Sequence, residues 1–104
     1  MTINLENQEA IIEHYGIDNQ LSIHMEECAE LLQAISKVKR DWNQNGVDIS
    51  NFHYEHLLEE ISDVVVCIDQ LKWIFNISDY AIEYNANKKI ERQIRRIEDE
   101  KKGQ

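Results

Sequence analysis

Proline is absent from this sequence, and glycine occurs only at Gly16, Gly46 and Gly103. With no residue that removes a backbone donor and few that favour left-handed turns, long helices meet no internal barrier. Sustained alternation of apolar and polar residues is also missing, so no strand is expected. Val64-Val65-Val66 is β-branched but lies inside a 3.6-residue periodicity. Cysteine is limited to Cys28 and Cys67, with no CxxC spacing, which argues against a disulfide framework or a zinc site and for reduced thiols packed in helices. No apolar run approaches the roughly 20 residues needed to span a bilayer. The N-terminal MTINLENQEAII lacks a basic region followed by an apolar run, so the cytosol is the expected compartment. Basic residues are scarce over most of the chain: residues 1–87 hold only Lys37, Lys39, Arg40 and Lys72. With a formal net charge of −9, no nucleic-acid binding is expected, because phosphates need a basic surface to displace their counterions.

What is present fits one all-α domain over residues 1–104, with 42% hydrophobic and 30% charged residues. A first helix is expected from about Leu5 to Tyr15, stopped by Gly16. Asp18 or Asn19 can cap a long second helix reaching about Trp42, closed by the turn-like NQNGVD. A long third helix starts near Ser50 and continues to about Phe75, and Ser78 caps a fourth over about 79–101. The result is a four-helix bundle-type subunit. Seven basic residues crowd into residues 88–104: Lys88, Lys89, Arg92, Arg95, Arg96, Lys101 and Lys102. They suit either a phosphorylated small molecule held through metal or a solvated helix face with i,i+4 partners such as Glu91 and Glu98.

The carboxylates carry the chemistry. Projected at about 100° per residue, the second helix places Ile23, Met25, Cys28, Leu31, Leu32, Ala34, Ile35 and Val38 on one broad arc. Glu27 falls inside that arc and Glu30 at its edge, while Glu26 points away. In the third helix the arc comprises Leu57, Ile61, Val64, Cys67, Ile68, Leu71, Ile74 and Phe75, with Glu60 between Cys67 and Leu71 and Asp63 beside Ile74. Glu59 points away. Two helices thus each bring an acidic pair at i,i+3 to the core side. Burying unpaired carboxylates costs several kcal/mol each, so four together demand protonation, cations or metal. Hard oxygen donors favour Mg²⁺, with Mn²⁺ as the alternative, over zinc. A di-iron carboxylate bundle needs ExxH on two helices, and no histidine stands three residues after a glutamate.

At these residues the chain resembles the all-α nucleoside triphosphate pyrophosphohydrolases, the MazG-like group related to the dimeric dUTPases. QLSIHMEECAELLQAISK (20–37) and HLLEEISDVVVCIDQL (56–71) look like the family's EExxE and EExxD signatures in the expected order, and NKKIERQIRRI (87–97) is a weaker likeness to its basic helix. The resemblance implies a helical bundle assembled as a homodimer or homotetramer, with the site often completed across subunits. It implies Glu27, Glu30, Glu60 and Asp63 as Mg²⁺ ligands, and Glu26 and Glu59 match the leading acids. Among these, Glu30 and Glu27 would be the catalytic carboxylates, Glu30 taking the proton of the attacking water. Lys89 and Arg92, with Lys88, would hold substrate phosphates. The implied reaction converts a nucleoside triphosphate or its deoxy form to the monophosphate and pyrophosphate.

Gln20, Trp42, Phe52, Tyr54 and Trp73 are candidates for base recognition, each better read as a packing residue. His24 reads as a hydrogen-bonded core histidine rather than a residue behind the metal, and His53 and His56 as exposed or capping. A chain this short exposes apolar surface on four helices, which also points to a homo-oligomer. The rival reading is a noncatalytic helical homo-oligomeric interaction module whose acidic faces are solvent-exposed.

Overall fold

In a computed structural model of the chain, which describes residues 5–46 and 48–103, four helices follow one another: α1 (Leu5–Tyr15), α2 (Ile17–Asn45), α3 (Asn51–Phe75) and α4 (Asp79–Lys102). No strand occurs among the described residues. The first two helices hinge on one residue. The Gly16 N–H donates to the Ile12 carbonyl at 2.8 Å, closing α1, and its carbonyl accepts from Gln20 N–H at 3.1 Å, opening α2. Its φ of 89° lies in the left-handed half of the map, where a Cβ would be strained. Gly16 therefore occupies the N-cap position, and Asp18 sits in the first turn of α2, its charge toward the helix N-terminal dipole.

The later boundaries follow their caps. Ser50 Oγ accepts from His53 N–H at 3.2 Å to start α3, and Ser78 Oγ accepts from Ala81 N–H at 3.1 Å to start α4. Helix α3 stops at Asn76, which adopts φ 53°, ψ 48°; its N–H and that of Ile77 both donate to the Lys72 carbonyl. Asparagine is one of the few residues with a side chain that tolerates this conformation. Asp41 Oδ2 ties the α2–α3 elbow by accepting from Ser50 N–H at 3.1 Å and from His53 Nδ1 at 2.7 Å.

Helices α2 and α3 pack as an antiparallel pair in which Gln20 meets Gln70 and Glu30 meets Glu60, and α1 lies against both. The interior they enclose is more polar than apolar. Among the described residues Ile12, Ala34 and Cys67 are the buried hydrophobic side chains, whereas Gln8, Gln20, His24, Glu60 and Gln70 are buried polar ones. Gln70 is the hub: its Nε2 donates to Gln8 Oε1 at 2.8 Å, and its Oε1 accepts from Gln20 Nε2 at 3.0 Å and faces His24 Nε2 at 2.7 Å. Since that oxygen can only accept, His24 carries its proton on Nε2.

Both projected arcs split. On α2 the inner half holds Ile23, Leu31, Ala34 and Val38, while Met25, Cys28, Leu32 and Ile35 face solvent, Met25 at 75% and Leu32 at 70% exposure. On α3, Leu57, Val64, Cys67, Leu71 and Ile74 turn inward, and Ile61, Ile68 and Phe75 turn outward. Nor does the fourth helix complete a bundle within the chain. Helix α4 packs on none of the others; an ion pair of Lys72 with Asp79 holds its start. Its apolar stripe Ile82, Ile90, Ile94 and Ile97 is exposed. The accessible surface is 8427 Å², against about 6,100 Å² for a compact monomer of this mass. The radius of gyration is 17.8 Å, against about 13 Å for a compact chain of this length.

Candidate functional site

The antiparallel register of α2 and α3 decides which acids meet. Glu27 and Glu30, one turn apart on α2, face Glu60 on α3, and one oxygen from each lies within 4.8 Å of the other two. Their environments are graded. Glu60 is buried at 6% exposure, Glu27 is half-buried and Glu30 is exposed, so the cluster opens on the Glu30 side. Glu27 Oε2 and Glu60 Oε2 are both buried and receive no donor. Asp63 lies outside this trio and is exposed, yet its carboxyl is near enough for its charge to act on Glu27. Glu26 and Glu59, the leading acids of the two signatures, are exposed.

Crowding of like charge has its expected effect. Burial first, then Asp63, Glu30 and Glu60, push the Glu27 carboxyl up to about 7. Glu60 is raised as well, by burial and then by Glu30 and Asp63, with the imidazole of His56 pulling it the other way. The Cys67 thiol beneath them is pushed up to about 11 by burial and by Glu27, which keeps it protonated and unreactive. No basic side chain forms an ion pair with Glu27 or Glu30 among the described residues. The cluster therefore stores electrostatic repulsion that protons or a cation must relieve. Three converging carboxylates, two with orphaned buried oxygens, fit a hard divalent cation that leaves positions for water or phosphate oxygens.

The expected phosphate contacts stand elsewhere in the chain. Lys88, Lys89 and Arg92 share a surface hollow with Asn85, Glu91 and Arg95 on α4, which does not pack on the acidic pair of helices. Lys88 Nζ lies 4.5 Å from the centre of the Tyr84 ring. Within one chain, then, the acids are brought together and the basic residues are not joined to them. Of the base-recognition candidates, Gln20 is buried in the Gln70 network and Trp73 donates from Nε1 to Glu9 Oε1 at 2.7 Å, while Trp42, Phe52 and Tyr54 are exposed. His24 is the expected core histidine, at 5% exposure.

His53 and His56 are not simply exposed. His53 pairs with Asp41, and His56 Nε2 lies 3.4 Å from Glu60 Oε1. The signal in the sequence was the i,i+4 spacing of His56 and Glu60 on one helix face. No protein-family model, curated protein or solved structure matches this chain.

Proposed function

We propose that the chain is a Mg²⁺-dependent nucleoside triphosphate pyrophosphohydrolase, acting in the cytosol on a ribo- or deoxynucleoside triphosphate. The observation that carries this reading is the convergence of Glu27, Glu30 and Glu60 into one cluster with orphaned buried oxygens, to which no lysine or arginine among the described residues is paired. The order of the two acidic signatures along the chain, which resembles the MazG-like group, supports it too.

Glu27, Glu30 and Glu60, with Asp63 alongside, would hold Mg²⁺ or Mn²⁺. When bound, such an ion neutralises triphosphate charge and lowers the pKa of coordinated water. Glu30, the exposed member, would accept the proton of the water that attacks the α-phosphorus, giving the monophosphate and pyrophosphate. Glu27 and Glu60, less exposed, fix the position at which that water is met. Lys89 and Arg92, with Lys88, bind phosphate oxygens through charge-assisted hydrogen bonds.

Because α4 packs on nothing in its own chain, these cations reach an acidic cluster most directly in a homodimer or homotetramer, where α4 of one copy lies against α2 and α3 of another. Charge supports that pairing, since five of the nine residues from 88 to 96 are basic and the clusters they would meet are acidic. Incubation of the purified protein with each ribo- and deoxynucleoside triphosphate and Mg²⁺ tests the reading through its products. Monophosphate and pyrophosphate are expected. Diphosphate and orthophosphate would contradict the bond chosen, and no turnover on any triphosphate would favour the noncatalytic interaction module.

A further inference from the structure

Glu60 has two oxygens in different circumstances. Its Oε1 lies 3.4 Å from His56 Nε2, one helical turn earlier on α3, and its Oε2 is buried with no donor. His56 is itself half-buried, and its Nδ1 is buried without a partner. The carboxylate oxygen beside Nε2 lies within ion-pair reach of the ring, so an N–H carried on Nε2 has Glu60 Oε1 as the acceptor it faces. The three-carboxylate cluster does not include His56, so the ring stands behind Glu60 rather than among the ligand atoms. The register that sets Glu30 across from Glu60 sets Ala34, buried and small, across from His56, one turn further along each helix. The neighbouring histidine cannot take this place, because His53 is held by Asp41.

We infer that His56 is a positioning residue for the ion site: its Nε2–H holds Glu60 Oε1, which fixes the carboxylate rotamer and turns Oε2 toward Glu27 and Glu30. The role rests on the reading of the cluster as a divalent-cation site. Partners that orient a ligand in this way contribute about 10- to 100-fold in ion affinity. Glutamine and asparagine separate the role from mere space-filling, since a glutamine amide N–H reaches the position of Nε2 and an asparagine amide falls short of it.

Manganese binding measured by electron paramagnetic resonance, on the full chain without nucleotide, tests the assignment directly. His56→Gln is expected to keep affinity within a few-fold of the unmodified protein, and His56→Asn and His56→Ala to weaken it about 10- to 100-fold. All three variants should melt within a few degrees of the unmodified protein when ion-free. Nitrogen hyperfine coupling to the bound manganese is expected to be absent throughout, because the imidazole does not touch the ion. Unchanged affinity in His56→Ala would overturn the role, as would equal loss in the Gln and Asn variants or a nitrogen coupling that His56→Ala removes. If the unmodified protein binds no manganese, the ion site itself fails and this role with it; if it binds, and Glu60→Gln abolishes binding while His56→Ala does not, the role alone fails.

Discussion

Glu27 and Glu60 make the acidity of the site a property of the fold. Both carboxyls titrate above their ordinary range, Glu27 at about 7 against 4.5 for a free side chain, so the folded protein binds more protons than the unfolded chain over that interval. The contribution of Glu27 to stability is fully present below about pH 4.5 and is lost as pH rises through about 7, and that of Glu60 is lost in the same direction. Ion-free protein should therefore melt at a higher temperature at pH 5 than at pH 8, and Glu27→Gln should flatten that slope. A melting temperature that climbs with pH across this window would contradict the assignment. Added Mg²⁺ should reverse the trend, because the ion binds the ionised carboxylates and releases their protons. Asp41 works in the opposite sense. Its pKa is lowered, first by the hydrogen bond from His53, so its contribution is lost only as pH falls below the ordinary carboxylate range, outside the window set by Glu27. Glu60→Gln should reduce pyrophosphate release to background while leaving the ion-free fold as stable or firmer, since it removes one of several crowded negative charges. Surviving activity would show that Glu60 is not a ligand. The inward turn of Glu27 and Glu60 was legible because their apolar neighbours at helical spacing define a face. Which partner His56 would take was written in the same spacing, but a lone histidine near a helix start also suits a cap.

At the level of helices, the boundaries were readable because the signals are local: Gly16 for the break between α1 and α2, Ser50 and Ser78 as N-caps, and no proline to end a helix early. The partners of each face were not. Hydrophobic periodicity locates an apolar arc but does not say which half of it the chain covers for itself, and on α2 Met25, Cys28, Leu32 and Ile35 fell on the uncovered half. The glutamine network was equally hidden. Glutamine favours helices and ordinarily lies on their surface, so nothing in the sequence marks Gln8, Gln20 and Gln70 as the junction of three helices. With Gln70 at 3% exposure, Gln70→Leu leaves the donors of Gln20 and His24 and the acceptor of Gln8 buried without partners. A loss of about 1–3 kcal/mol is expected for each group left unsatisfied, measured by urea unfolding. A loss below about 0.5 kcal/mol would mean that the network does not set the helix register.

For the molecule as a whole, the chain is extended and carries more surface than a compact fold of its mass requires. The excess over a compact monomer, about 2,300 Å², falls in the range that obligate interfaces bury, which is consistent with the proposed homo-oligomer. Light scattering at micromolar concentration should give a dimer or a tetramer, and a monomer would contradict the assembly. Paired Ile90→Asp and Ile94→Asp substitutions on the exposed stripe of α4 should dissociate it and reduce turnover, with the helical content of α1 to α3 retained in circular dichroism. Normal assembly in that double variant would show that α4 is not part of the contact. The acids and the basic helix were both legible in the sequence, but their relation was not, because the chain alone does not join them. The proposed divalent-cation site between α2 and α3 is tested most directly by anomalous scattering from a crystal grown with Mn²⁺. A peak bounded by oxygens of Glu27, Glu30 and Glu60 is expected. Those three side chains turned to solvent, with no peak among them, would contradict it.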